Sequence, residues 1–455
     1  MTALLAISSA VFAALLGYPL GNWLASLKRF KTFISVFLLV PFLLPAFLVG
    51  LTILPLQPME LTFVSAFGWI LFAHLLMNVG FIARVVAASS VPKEQLDAAA
   101  LDGATSWQSR WLVEVPQQLP GIASASLLVA LYSATSYGLV LTLGRGEVRT
   151  LETEISEVAL RQLDLPSAAM LALLQTALTV VLFVIARRFG ANPTPLFGET
   201  EHRGSKLGQL IGYLYLAIVL VVIGNVVYRA ISLNGGLIEN LQNLATRGSR
   251  DILNISLLEA AGNSLRNLLV SLLISLPIAW LAAAKKKPSL LVLIPIGVSP
   301  VVIGLVFLVG AGYLPGALGN WWLVPVAQSV FLIPLGYQVL RPARHAVEPE
   351  MLEAATLDGA GKVKTLAFVE APILARPIAA AVSFISLASL GEFGAASFLA
   401  YGSEATLPLA MFRLASRPGE MNLGMAMTTA LLFILLALAV VYFISREKKT
   451  ELSVR

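Results

Sequence analysis

Long stretches without a single charged residue constrain this chain more than any other feature of its sequence. Residues 288–340 form the longest of them, with 53 positions that lack Asp, Glu, Lys and Arg. A helix needs about 20 apolar residues to cross a bilayer, so this stretch alone has room for two crossings and a loop. Only 12% of the residues are charged, against about 25% in soluble domains. We therefore predict an all-α polytopic membrane protein that is surrounded by the lipid bilayer.

The spacing of these stretches predicts about eleven transmembrane helices. They are expected at about 3–25, 33–54, 62–83, 119–142, 167–186, 208–228, 262–284, 289–310, 319–340, 375–398 and 422–444. Lys and Arg collect in short loops on the cytoplasmic side of membrane proteins, and here they cluster after residues 27, 186, 284 and 445. This distribution predicts a multi-pass protein with its N-terminus outside and its C-terminus in the cytoplasm.

Several function classes find no support in the sequence. The 455 residues include no cysteine, so no disulfide or thiolate metal site can form, and no metal site is predicted. The net charge of +6 comes from basic residues at the ends of spans, which does not indicate a nucleic-acid partner. No set of nucleophile, base and oxyanion donors is recognisable, and no P-loop is present. The chain is therefore not expected to be an enzyme.

An internal repeat gives the chain its organisation. Residues 96–116 and 352–372 share ten identities in 21 positions, at a constant offset of 256. The same offset aligns Gly138 with Gly394 and the pair Thr150-Leu151 with Thr406-Leu407. Two similar halves related by an axis along the membrane normal would enclose a central path. The sequence thus predicts a duplication with two homologous halves in parallel topology.

The two halves are unequal in length. We assign residues 1–190 to a first half with about five spans and residues 208–455 to a second half with about six. Residues 191–207, which include Asn192-Pro193-Thr194-Pro195, are predicted to be a cytoplasmic linker. Either the first half lacks a counterpart of the span at 208–228, or a misassigned start codon has removed a twelfth helix.

Both copies of the repeat lie in cytoplasmic segments, residues 90–118 and 346–374, which are called the coupling loops below. In each loop, helix-forming residues surround a glycine, Gly103 or Gly359. Glycine adopts positive φ without steric cost, which predicts a short helix, a turn and a second helix that enters the membrane. Pro116 and Pro372 fall near the start of that second helix, where a missing N–H is tolerated.

These residues resemble the EAA loop of the permeases of binding-protein-dependent ABC importers. That motif consists of Glu-Ala-Ala, three residues, glycine, nine residues and Ile-x-Leu-Pro. The spacing is kept in both copies, with Asp97 in place of Glu and Val113 in place of Ile in the first. The matching positions are Asp97, Ala98, Ala99, Gly103, Val113 and Pro116, and Glu353, Ala354, Ala355, Gly359, Val369 and Pro372.

The resemblance implies a type I ABC importer permease fold in a bacterial inner membrane. Each coupling loop would seat in a cleft of a cytoplasmic ABC ATPase, most simply a dimer. ATP and Mg²⁺ would bind to that partner, and this chain would hold no cofactor. An external or periplasmic solute-binding protein would deliver the substrate.

The fused arrangement resembles more narrowly the ferric-iron and thiamine permeases of this family. The features that carry this resemblance are the run from Ser389 to Gly394, the run Thr406-Leu407-Pro408, and residues 163–169. Ferric iron is the favoured substrate and thiamine is the alternative. A secondary transporter or channel is the alternative class, which would not require two loops of this pattern.

Polar residues within the predicted spans are candidates for the substrate path. Glu392 is the acidic residue that we place inside a span, where ionisable groups are costly and usually face a cavity or a partner. A carboxylate there would suit a cationic substrate, or it would pair structurally with a basic group. Ser and Thr in membrane helices commonly bond to neighbouring helices, which is the alternative for the remaining candidates. These are Tyr132, Ser136, Tyr137, and the i, i+4 pair His74 and Asn78.

Overall fold

The computed structural model describes residues 1–27, 31–91, 93–188, 206–285 and 290–446. These residues form helices and connecting turns, with no strand among them. The predicted linker at 191–207 lies almost entirely outside the described residues. The first ten helices are α1 (Thr2–Ser26), α2 (Lys31–Leu43), α3 (Ala46–Ile53), α4 (Phe63–Ala88), α5 (Lys93–Leu101), α6 (Ser106–Ser109), α7 (Val115–Ala134), α8 (Tyr137–Gly144), α9 (Leu151–Leu160) and α10 (Leu165–Arg188).

The second part of the chain is also helical. Its helices are α11 (Lys206–Ser232), α12 (Leu237–Asn243), α13 (Leu257–Ala283), α14 (Leu290–Leu293), α15 (Pro300–Gly312), α16 (Leu323–His345), α17 (Pro349–Leu357), α18 (Lys362–Thr365), α19 (Ala371–Ile373), α20 (Ala375–Leu390), α21 (Gly394–Leu399), α22 (Leu407–Ala415) and α23 (Glu420–Arg446). Short 3₁₀ turns lie at Leu54–Leu56, Ser249–Asp251, Ile294–Gly297 and Gly402–Glu404, and π turns lie at Arg110–Glu114 and Leu366–Glu370.

Long apolar helices confirm the polytopic fold class. Within the described ranges, seven helices are long and apolar enough to cross a membrane, or up to ten if each of three sharply bent helix pairs is one span. Ten of the eleven predicted spans coincide with these helices or pairs. The predicted span at 289–310 contains only the 13-residue helix Pro300–Gly312 as a long element, and at about 1.5 Å per residue a helix of this length falls short of a hydrocarbon core about 30 Å thick.

Three predicted spans are broken rather than continuous. The span expected at 33–54 bends by 94° between α2 and α3, and the other two are broken at the same place in each repeat. The span expected at 119–142 bends by 59° between α7 and α8, where Thr135 and Ser136 leave helical geometry. The span expected at 375–398 ends α20 at Leu390, and α21 begins only at Gly394. Hydrophobicity reports that a segment is buried in lipid or protein, but it does not report the backbone direction, so the sequence showed all three segments as single spans.

The chain forms two compact units. Unit 1 comprises Met1–Leu244, Gly248–Arg250 and Met411–Val441, and unit 2 consists mainly of Asp251–Ala410. Unit 1 therefore includes α11 and most of α23, which the repeat places in the second half of the sequence. The division at residues 190 and 208 describes the duplication of the sequence and stays a prediction in that sense.

Side-chain contacts explain why α11 belongs to unit 1. Gly212 lies against the indole of Trp23 so closely that a Cβ atom would be 2.4 Å from the ring, and small residues allow such close approach between membrane helices. The Tyr215 hydroxyl donates to Leu76 O at 2.6 Å, and the Arg229 guanidinium donates to Pro55 O at 3.2 Å. Close packing and hydrogen bonds to backbone carbonyls thus hold α11 on α1, α4 and the turn after α3.

Candidate functional site

The first coupling loop has the predicted helix, turn and helix. Helix α5 ends in a Schellman motif, in which Ala104 N–H donates to Ala99 O at 3.0 Å and Gly103 N–H donates to Ala100 O at 3.1 Å. Gly103 has a φ of +85°, as this motif requires at the residue after the C-cap. The carbonyls at the end of α5 are thereby satisfied, and the chain reverses direction within a few residues.

The second coupling loop repeats this geometry closely. Helix α17 ends with Ala360 N–H donating to Ala355 O at 2.9 Å and Gly359 N–H donating to Thr356 O at 3.1 Å. The φ of Gly359 is +80°. The prediction of a glycine turn with positive φ is therefore confirmed in both copies of the repeat.

Each coupling loop enters its following helix through one π turn. Val115 N–H bonds to Arg110 O, and Ala371 N–H bonds to Leu366 O, in both cases across five residues. The next residue is Pro116 or Pro372, which has no N–H to donate. Single π turns in otherwise α-helical segments occur frequently at functional sites, and this one occupies the same position in both repeats.

Large apolar side chains at the tips of both coupling loops are exposed at matching positions. Leu101 is 89% exposed and Leu357 is 87% exposed, and 11 residues later Leu112 is 73% and Phe368 is 79% exposed. Exposed large apolar side chains therefore occur at equivalent positions of both loops.

Five of the six matched motif positions have the same burial in the two loops. Ala98, Ala354, Gly103, Gly359, Pro116 and Pro372 are exposed, and Ala99, Ala355, Val113 and Val369 are half-buried. Asp97 is half-buried and Glu353 is exposed. The alanine, glycine and proline positions that are exposed are therefore the same in both loops.

Glu392 is buried in unit 2 and its carboxylate caps a helix. Oε1 accepts a hydrogen bond from Ala395 N–H at 2.6 Å, and Oε2 accepts one from Ala396 N–H at 3.0 Å. Negative charge at a helix N-terminus is favourable because the first N–H groups have no partner within the helix. These contacts give the carboxylate a structural task at the start of α21, and its role in the substrate path stays a prediction.

The first-half candidates lie in unit 1. Ser136 is buried at the break between α7 and α8. The Tyr137 hydroxyl is 2.8 Å from Ser156 Oγ, and the ring of Tyr132, whose side chain is 46% exposed, lies 6.2 Å from Phe42. Tyr132 is thus the accessible member of this group, whereas Tyr137 bonds to a neighbouring helix.

His74 and Asn78 are occupied by contacts within unit 1. His74 Nδ1 lies 3.0 Å from Ser9 Oγ, and Asn78 Nδ2 donates to His74 O at 2.8 Å. His74 Nε2 is buried and makes no hydrogen bond to the described part of the chain, and a role for the pair in the substrate path stays a prediction. No group of three or more His, Cys, Asp or Glu that could hold a metal ion occurs within the described ranges.

The sequence did not single out a second buried carboxylate, Glu152. It lies in α9 with no exposed surface, and Oε1 accepts from Gln175 Nε2 at 2.9 Å. Gln175 also donates to Ala134 O at 3.0 Å, the last residue of α7. The carboxylate directly after the aligned pair Thr150-Leu151 was visible in the sequence, but α9 had not been predicted to be buried, so the signal was missed.

We expect Glu392→Gln to lower the melting temperature of the detergent-solubilised protein. Glutamine has one acceptor oxygen, so one of the two capping bonds is lost in a buried setting, which costs about 1–3 kcal/mol. Thermal unfolding measures the effect, with the exposed Glu147→Gln as the control. An unchanged melting temperature combined with loss of substrate uptake would instead favour a role for Glu392 in the substrate path.

A family model of known proteins matches the part of the chain that contains the first coupling loop. Residues 13–192 match the family model described as "Binding-protein-dependent transport system inner membrane component". The matched range includes the first coupling loop and the π turn that follows it. The second coupling loop lies outside the matched range and repeats the glycine turn and the π turn of the first.

Three relatives illustrate the range of similarity. The thiamine transport system permease protein of Haemophilus influenzae is 37% identical over 123 residues, which are 26% of this chain and 23% of that protein. The thiamine transport system permease protein of Brucella abortus is 25% identical over 418 residues, 86% of this chain and 73% of that protein. A putative molybdenum transport system permease of Bacillus subtilis is 27% identical over 190 residues, 37% of this chain and 82% of that protein.

Proposed function

Since the chain is a fused permease of the binding-protein-dependent ABC importer family, we propose that it imports thiamine with energy from a separate ATPase that engages both coupling loops. The observation that carries this proposal is the shared geometry of the two loops. Each has a glycine at a φ of +80° to +85°, and each presents a leucine that is at least 87% exposed.

The exposed leucines indicate what the partner must offer. Leu101 and Leu357 bury little surface within this chain, so their apolar side chains gain free energy only when another surface covers them. Two equivalent loops require two equivalent clefts, which a dimeric ATPase provides. ATP and Mg²⁺ bind to that partner in this proposal, and closure of the dimer moves the two loops as rigid bodies.

The proposed orientation places both coupling loops in the cytoplasm. Basic residues near the span ends support this side assignment, with the N-terminus outside and the C-terminus inside. An external solute-binding protein then delivers the substrate to the opposite face of the membrane.

Thiamine replaces ferric iron as the favoured substrate. The relatives reported above are named for thiamine and molybdenum transport, so the expectation of iron has no support from them. The argument for iron from Glu392 is also weaker, because both oxygens of this carboxylate accept backbone N–H groups. A cation that needs free carboxylate ligands gains little from such a group.

We expect proteoliposomes with the permease, its co-purified ATPase and its binding protein to accumulate labelled thiamine only when ATP and Mg²⁺ are supplied to the ATPase side. Ferric citrate and molybdate serve as competing substrates in the same assay. Uptake of ferric citrate or molybdate in this assay, without uptake of thiamine, would show that thiamine is not the substrate. Uptake that follows an ion gradient without ATP would overturn the importer class and favour a secondary transporter.

A further inference from the structure

Each coupling loop has a glutamate at the same repeat position. Glu114 is the last residue of the first π turn and Glu370 is the last residue of the second. Glu114 is 5% exposed, and the side chain of Glu370 is 15% exposed. Carboxylates are seldom buried without specific partners. Docking of a partner on the exposed side chains does not explain why these two carboxylates are buried.

Glu114 connects the first coupling loop to α1. Its Oε1 accepts a hydrogen bond from Asn22 Nδ2 at 2.7 Å and one from the Tyr18 hydroxyl at 3.3 Å. Asn22 Oδ1 in turn accepts from Gln118 Nε2 at 3.1 Å. Asn22 therefore bonds to residues on both sides of Pro116, and all of these groups except Tyr18 are at most 5% exposed.

Glu370 makes the corresponding connection in unit 2 through an arginine. Arg344 Nη2 lies 2.7 Å from Glu370 Oε2, and Arg344 Nη1 donates to Trp280 O at 2.8 Å. The guanidinium also lies over the Trp280 ring, 4.5 Å from its centroid. The glutamate is thereby joined to the end of α16 and, through Arg344, to α13.

We propose that Glu114 and Glu370 are positioning residues that join each coupling loop to the first long helix of its own half, α1 or α13. This inference rests on the proposed function, because it assigns the path by which loop movement reaches the spans. Hydrogen bonds and ion pairs fix distance and direction, whereas apolar contacts allow neighbouring helices to slide. The two glutamates are thus the connections that let a loop and a span move as one body.

The two connections differ in their chemistry, and the difference predicts unequal sensitivity. Asn22 and Tyr18, which bond to Glu114 Oε1, are neutral donors, so glutamine at this position keeps a carbonyl oxygen for Asn22. Glutamine at position 370 removes the charge that pairs with Arg344. We therefore expect Glu370→Gln to disturb coupling more strongly than Glu114→Gln does.

The absence of cysteine from the sequence allows a direct test by spin labelling. Labels are attached at Met351→Cys on α17 and at Leu281→Cys on α13, which are 47% and 68% exposed. The distance between the labels is measured in the complex with the co-purified ATPase, without nucleotide and after trapping with ATP, Mg²⁺ and vanadate. We expect one narrow distance in both states for the parent chain, and a distance that shifts or broadens with nucleotide when Glu370→Gln is added.

Transport provides the second readout. Disconnected loops let the ATPase hydrolyse ATP without moving the spans, so the ATP consumed per thiamine imported should rise by about 2- to 30-fold for Glu370→Gln. The matched control is Glu157→Gln, which removes the exposed ion pair of Glu157 with Arg161 at 3.3 Å. If the glutamine variant does not fold, Glu370→Asp, which keeps the charge, replaces it in the test. We expect its ATP consumption per thiamine imported to lie between those of the parent chain and the glutamine variant.

The outcomes separate this inference from the proposed function. If the ATPase fails to co-purify with the parent chain, the proposed function is overturned. If it co-purifies with the parent chain and the Glu370 variants, and their label distances and ATP consumption match those of the parent, the connecting role is wrong and the proposed function stands.

Discussion

Replacement of Gly359 by valine is expected to abolish ATP-dependent uptake and to reduce recovery of the partner ATPase by about 5- to 150-fold. The reason is conformational, since Gly359 has a φ of +80° and a side chain there would meet no atom within 4 Å. A non-glycine residue in this region costs about 1–3 kcal/mol, and a β-branched residue is the least compatible. The turn would open, and the exposed Leu357 beside it would change direction.

Two substitutions serve as matched controls for this prediction. Asparagine tolerates positive φ better than other residues, so Gly359→Asn should retain most of the association. Gly361 lies two residues away with the same open surroundings and no positive φ, so Gly361→Ala should behave as the parent chain. Equal losses for all three variants would show that the turn conformation is irrelevant to association.

The first coupling loop should respond in the same way. Gly103 has a φ of +85° and equally open surroundings, so Gly103→Val should weaken association to a similar extent as Gly359→Val. Recovery of the ATPase with the tagged permease measures both effects. A loss confined to one of the two glycines would contradict the proposal of equivalent docking positions.

The second large effect is expected from the exposed leucines at the loop tips. Burial of a leucine side chain contributes about 1.5–3 kcal/mol, so Leu101→Ala and Leu357→Ala should each weaken binding of the ATPase by about tenfold or more. The thermal stability of the permease should not change, because both side chains are at least 87% exposed and make few contacts within the chain.

Binding of the purified ATPase to permease in nanodiscs measures this effect. Leu273→Ala is the matched control, since Leu273 is 74% exposed but lies on α13 within a predicted span. The double variant should lose binding altogether if the two loops dock on one ATPase dimer. Unchanged binding in the double variant would show that the apolar tips do not contact the ATPase.

The coupling loops are the part of the molecule that the sequence determined most fully. The motif places Gly103 and Gly359 immediately after a run of helix formers, and a helix that ends at glycine has few conformations available. Such signals are local, because residues within about six positions satisfy each other's backbone groups. Both turns therefore appear in the structure as the sequence predicts.

The number and the course of the spans were determined only in part. Apolar stretches reveal which segments avoid water, because the free energy of transfer depends on composition. The breaks at residues 135–136 and 391–393 depend on which groups accept hydrogen bonds from the backbone N–H groups that have no partner within a helix. At the second break that group is Glu392, whose two oxygens accept the N–H groups of Ala395 and Ala396.

Charge-free stretches were sufficient to predict a polytopic membrane protein, and a repeat of 21 positions predicted two matching loops with a glycine turn. Tertiary structure alone decided that α11 belongs to unit 1, and that Glu114 and Glu370 meet Asn22 and Arg344. The physical reason is distance along the chain. Turns and spans depend on neighbouring residues, whereas a buried carboxylate acquires its role from partners that only folding brings within hydrogen-bonding reach.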